Sequence, residues 1–207
     1  MDRREDIIYA TLELASEKGL GAVSMAQIAE KLGIKKPSLY NHFKSKDEIV
    51  GEMYRYLREQ TWKKTNDIEM DYAVFFKDKS LEEILLLTVS QYSHFIEDER
   101  MLLFFKVLYS ERATNPVAAQ IMVEETNRMI LSTKQLFYAL AVHGKIKNQD
   151  IDMAALSYAM TIHSIVDYQM DCNGARIDDS ASKTWIKSYI KWFSRQMGGD
   201  CHEENND

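Results

Sequence analysis

Between residues 31 and 46 the chain holds five lysines (Lys31, Lys35, Lys36, Lys44 and Lys46) and no acid. Ammonium groups on long, flexible stems are suited to neutralising phosphates. Interleaved with them are Ser38, Tyr40, Asn41 and His42. Each of these can hydrogen-bond a phosphate oxygen or a base edge. The chemistry on offer is therefore binding to a nucleic-acid backbone, with some capacity to read bases. The same residues also fit a solvated lysine face on an ordinary helical hairpin, and residue types alone leave both readings open.

Other reactive residues are scattered. The five histidines stand at 42, 94, 143, 163 and 202. No HExxH, phosphate-binding GxxxxGK[ST] or GxSxG motif occurs, and no cysteine–histidine cluster. The expectation is a protein that is not an enzyme, with no catalytic residue, no metal and no cofactor. His163 and Asp167 lie one helical turn apart in an apolar stretch. They read either as a satisfied pair in a core or interface, or as a polar anchor for a ligand. Cys172 and Cys201 are far apart, which suits free thiols in a reducing compartment.

The elements that must carry the basic run are helices. Ile7, Ala10 and Leu14 recur at spacings of three and four, predicting a first helix from about Arg4 to Lys18. Gly19 and Gly21 end it. Ser24 and Gln27 form a capping box that opens a short helix to about Leu32. A third helix is expected from Lys36 to Phe43, with Pro37 in its first turn. Two short helices joined by a tight glycine-containing turn read as a helix-turn-helix. Ser45 and Glu48 open a long fourth helix to about Asn66. Asp67 to Lys79 reads as a connection. Ser80 and Glu83 start a helix to about Asp98, and another runs from about Arg100 to Arg112. Asn115-Pro116 opens one ending near His143. The last two span Asp150 to about Asp171, closed by Asn173-Gly174, and Ser180 to Met197. The expected class is all-α, with about nine helices.

Composition agrees. The 207 residues include only 8 Gly and 2 Pro, too few for the turns of a sandwich or barrel. The longest apolar run is seven residues, Leu136 to Val142, whereas a membrane span needs about 20. No secretory leader is expected behind the polar start Met1 to Asp6. The net charge of −6, taken as an average, disfavours DNA, but it is unevenly spread. Residues 1–48 carry 8 basic and 8 acidic side chains, so the excess of acid lies beyond them. The last ten residues contain four acids and no lysine or arginine, and are expected to be disordered.

Residues Ile7 to Val50 resemble the DNA-binding region of the tetracycline-repressor (TetR) family of transcriptional regulators. The resemblance rests on Ser24-Met25-Ala26-Gln27-Ile28-Ala29-Glu30-Lys31-Leu32-Gly33-Ile34, Pro37-Ser38-Leu39-Tyr40-Asn41-His42-Phe43 and Lys44-Ser45-Lys46-Asp47-Glu48-Ile49. It implies an all-α homodimer with a helix-turn-helix domain over 1–48, a helical ligand-binding and dimerisation domain over 49–199, and an acidic tail over 200–207. By position, Lys36, Pro37 and Ser38 would face the major groove. Tyr40, His42 and Lys46 would contact phosphates, as would Ser24 or Met25. Lys35 and Asn41 complete the candidate set. Two positions depart from the family pattern: Ala26, where a base-reading polar residue is common, and Lys35, where a serine often caps the recognition helix.

The resemblance also implies a pocket and a dimer interface. Candidate pocket residues are Trp62, Tyr92, Phe105, Tyr109, Met122, Tyr158 and His163, because ligand sites in bundles are mostly apolar. Candidate interface residues are Ala155, Ala159, Ile162 and Val166 in one helix and Trp185, Tyr189, Trp192 and Phe193 in the next. The expected function is a cytoplasmic repressor, released from a pseudo-palindromic DNA site by a small hydrophobic or aromatic effector. An activator of the same family, or a helical small-molecule-binding or interaction protein without DNA binding, are the alternatives.

Overall fold

The computed structural model describes residues 3–65, 71–96, 99–147 and 150–198; the acidic tail lies outside them. Among the described residues every regular element is helical: α1 (Arg3–Lys18), a 3₁₀ turn (Leu20–Ala22), α2 (Met25–Lys31), α3 (Lys36–Tyr40), α4 (Lys46–Thr65), α5 (Tyr72–Phe76), α6 (Leu81–Ile96), α7 (Glu99–Glu111), α8 (Pro116–Val142), α9 (Ile151–Ala175) and α10 (Ser180–Met197). None of these helices is long and apolar enough to cross a membrane.

Local chemistry sets most boundaries. Glu5 and Asp6 occupy the first turn of α1 and Lys18 the last, as the helix dipole favours. Gly19, at φ +80, then turns the chain out of the helix. Ser24 and Gln27 satisfy each other's backbone N–H groups, a complete capping box. Ser80 and Glu83 do the same ahead of α6, at 2.7 and 3.2 Å. At the head of α8 the Asn115 side chain accepts from the N–H groups of Val117 and Ala118, while Pro116 needs no partner.

Three boundaries differ from the sequence reading. The third helix stops at Tyr40, because the N–H groups of His42 and Phe43 both turn back to the Leu39 carbonyl. Within 67–79 a one-turn helix, α5, forms where the Asp71 carboxylate accepts from the N–H groups of Ala73 and Val74. α9 runs through Asn173-Gly174 to Ala175, and Arg176 makes the left-handed stop instead. The N–H of Ile177 then closes onto the Cys172 carbonyl at 2.9 Å.

The chain forms two compact units. The first comprises Met1–Ile68 and His94–Thr126. It holds α1 to α4, α7 and the start of α8. Its core includes Ile7, Leu12, Ile28, Leu39, Phe43, Ile49, Met53 and Phe104, all fully buried. Helix α1 packs against α2, α4 and α7. The second comprises Glu69–Ser93 and Asn127–Asp207. There Phe137, Tyr158 and Phe193 form a ring cluster with centroids 5.1 to 5.7 Å apart. Ile146 and Gly198 pair as an antiparallel bridge that ties the end of α10 to the loop after α8.

Candidate nucleic-acid interface

The recognition segment is held by its buried side. Leu39 and Phe43 face inward and are almost wholly buried, as are Ile28 and Ala29 of α2, the helix packed against α3. Burying a side chain of this size stabilises by about 1.5–3 kcal/mol. With that side anchored, Lys35, Lys36, Pro37, Ser38, Tyr40 and Asn41 are all exposed, and His42 is half-buried. Tyr40 keeps 44% of its surface, a large amount for an aromatic side chain, and the Lys36 ammonium lies 5.8 Å from its ring centroid. Lys35 occupies the N-cap of α3 without making a side-chain cap, leaving its charge to solvent.

The five lysines divide by partner. Lys31 bonds the Glu13 carboxylate of α1 at 2.9 Å, and that hydrogen bond raises its pKa above the ordinary lysine value. Lys46 donates to the Leu20 carbonyl at 2.7 Å. Lys35, Lys36 and Lys44 are exposed. Ser24 is exposed but its hydroxyl serves the capping box. Met25 packs inward, so its side chain does not reach toward a phosphate. The basic run is thus part structural and part free for binding.

One clamp had no sequence signal. Arg4 of α1 stacks over the Phe43 ring at 4.2 Å and donates to the His42 carbonyl at 2.8 Å. Its other terminal nitrogen lies 3.6 Å from Glu52 of α4. One guanidinium therefore joins α1, α4 and the turn that ends the recognition segment. A partner 38 residues away has no characteristic spacing. Tyr54 of α4 similarly bonds Glu125 of α8 and stacks on Phe104 of α7 at 6.0 Å.

The candidate pocket residues fall in both units. Phe105, Tyr109 and Met122 belong to the first; Phe105 and Met122 are buried, and Tyr109 carries the Arg112 guanidinium 4.6 Å above its ring. Tyr92, Tyr158 and His163 belong to the second. There the Tyr92 hydroxyl and His163 Nδ1 share a hydrogen bond at 3.3 Å, and His163 Nε2 lies 3.6 Å from Asp167. Tyr158 is 5% exposed, and burial pushes its phenol well above the usual tyrosine range. The side chain of Trp62 lies outside the described residues.

The candidate interface residues separate cleanly by exposure. Ala155, Ala159, Ile162, Val166 and Phe193 are buried within the second unit itself, and Tyr189 is half-buried. Trp185 and Trp192 remain 47% and 56% exposed. On α9 the outward apolar residues are Met153, Met160 and Tyr168, none of which was among the interface candidates. Tyr168 and Trp185 touch across α9 and α10, ring centroids 5.1 Å apart. Cys172 is a buried free thiol, while Cys201 lies outside the described residues.

Residues 7–53 match the model of the family "Bacterial regulatory proteins, tetR family", and residues 83–196 match that of the "AefR-like transcriptional repressor, C-terminal domain". The HTH-type transcriptional regulator AcrR of Shigella flexneri is 22% identical over 108 residues, 52% of this chain and 48% of that one. The tetracycline repressor protein class D of Escherichia coli is 46% identical over 47 residues, 23% of this chain and 22% of that one. The matched stretches thus span about half or less of these relatives. A solved TetR-family regulator from Mesorhizobium loti MAFF303099 superposes with a TM-score of 0.71, at 20% identity, over 96% of this chain and 100% of that one, a likeness of fold. The second family match covers more than half of the chain and the first covers the helix-turn-helix, so the chain belongs to the TetR family of transcriptional regulators, DNA-binding proteins rather than enzymes.

Proposed function

We propose that this regulator is a ligand-responsive repressor that binds a pseudo-palindromic operator as a homodimer. The carrying observation is the exposed row Lys35 to Asn41, mounted on the buried Leu39 and Phe43. In this reading Lys36, Pro37 and Ser38 enter the major groove. Lys36 donates to guanine and Pro37 packs on a thymine methyl. Tyr40, His42, Lys46 and the start of α2 hold phosphates, Lys46 by exchanging its present carbonyl partner for DNA. Residues 1–48 read DNA, and residues 49–199 bind effector and dimerise.

The exposed Trp185 and Trp192, with Tyr168 against Trp185, supply the dimer face. Exposed apolar groups concentrated in this way favour burial against a partner. Two helices from each subunit then form a four-helix interface. The dimer sets two recognition helices in successive major grooves, about 34–36 Å apart. A small hydrophobic or aromatic effector, anchored by Tyr92 and His163, favours a state with the wrong separation. By linkage, DNA weakens effector binding by the same factor. Acting on the chromosome places the protein in the cytoplasm.

Selection of bound duplexes from a random pool tests the reading. The expected product is a two-fold symmetric motif with half-sites one helical turn apart, or a small multiple of it. Recovery of no symmetric motif refutes it.

A further inference from the structure

The 3₁₀ turn Leu20–Ala22 connects α1 to α2 and is gripped from two sides. From α4, Lys46 donates to the Leu20 carbonyl. From α7, the Glu111 carboxylate accepts the backbone N–H of Gly21 at 3.3 Å. Glu111 is itself held in place. It is the last residue of α7, and its carbonyl accepts from the N–H groups of Thr114 and Asn115 at 2.9 and 2.8 Å. Its carboxylate lies along the glycine face of the turn, where a Cβ on Gly19 or Gly21 would come 3.6 or 3.9 Å from an oxygen. The turn leads through the buried Val23 to Ser24, the N-cap of α2, and α3 packs on α2.

An anion is the wrong charge to bind DNA, so this residue can serve the operator only by placing something else. We infer that Glu111 is a positioning residue for operator binding. By holding Gly21 it fixes where α2 begins, and through α2 where the exposed row of α3 meets the groove. The inference rests on the DNA-binding reading above and goes beyond it. It assigns a role in operator affinity to a residue 65 positions after Lys46, outside the helix-turn-helix.

The sign of one substitution decides. If only charge mattered, removing a carboxylate from a DNA-binding surface would strengthen binding, most of all at low salt. If Glu111 positions the turn, Glu111→Ala weakens operator binding by about threefold to tenfold, the scale of one hydrogen bond. The slope of log affinity against log salt then stays as in the parent chain, because no phosphate contact is lost. Glu111→Gln keeps an acceptor oxygen and stays within about twofold of the parent, within that same scale. In the free full-length protein, the Gly21 amide exchanges with solvent faster in Glu111→Ala than in Glu111→Gln. Binding by Glu111→Ala that is equal to or tighter than the parent, on the operator the parent selects, overturns the inference and leaves the DNA-binding reading intact. A parent chain that selects no operator overturns both.

Discussion

Helices α2 and α3 have seven and five residues, whereas α9 and α10 have 25 and 18. A five-residue helix has no stability of its own, because nucleation costs more than so few hydrogen bonds return. Its place is therefore set by packing: its own Leu39 and the following Phe43 are buried, α2 lies against it, and Arg4 holds the turn at its end. The long helices are the reverse case. They persist over many turns, and their chemistry is decided by what covers the outer face. In the first pair function lies in exposed polar residues on a buried anchor. In the second, on the proposed dimer reading, it lies in exposed apolar residues beside a buried core.

The contrast can be broken at the anchor. Phe43→Ala should cost about 3–5 kcal/mol, as expected for a fully buried ring, and should abolish operator binding. Urea unfolding measures it, and a loss below about 1 kcal/mol would show that the short helix does not depend on this side chain. The other half is tested by Trp185→Glu together with Trp192→Glu. Both rings are about half exposed, so the subunit should fold with an unchanged circular dichroism spectrum. Sedimentation should find monomers, and operator affinity should fall about a hundredfold, as for two interface anchors. A dimer that survives would place the interface elsewhere.

The smallest expected effect sharpens the role of local caps. Hydrogen bonds from the Ser80 backbone and side chain hold the Glu83 carboxyl below the ordinary carboxylate range. A pKa lower in the folded state contributes stability above the unfolded value, and that contribution is lost as the pH falls through the folded one. Thermal melts of the parent chain and Ser80→Ala should therefore converge as the pH is lowered from neutral into the acid range. A constant gap would mean that the serine acts without the glutamate.

Caps of this kind were legible because they are short-range. Ser24 with Gln27, Ser80 with Glu83 and Asn115 with Pro116 span three residues or fewer, and the structure has them in place. The matching of residues 24–49 to the TetR pattern was equally local, and it led to the family. The contacts that position this site were not legible. Arg4 with His42, Lys46 with Leu20 and Gly21 with Glu111 are separated by 38, 26 and 90 positions, and no periodicity links them. The stop of α9 escaped because an arginine took the left-handed conformation usual for glycine, two residues beyond a glycine that stayed helical. Which side of α9 is core also could not be read. Both sides are apolar, and Ala155 and Ala159 went inward while Met160 and Tyr168 stayed out.

The first compact unit is not contiguous in the chain: His94–Thr126 completes it. Phe104 and Leu108, both fully buried, come from that second stretch. The proposed DNA-reading segment is therefore not an exchangeable cassette. A chimera built by splicing the first four helices onto a foreign sensor would leave the face of α1 that packs on α7 without its partner, and would lose the α7 carboxylate at Gly21. The same topology sets an order of assembly during synthesis. The recognition helices are finished at Tyr40, but α1, against which α2 packs, gains its α7 partner only once the chain has grown to Glu111.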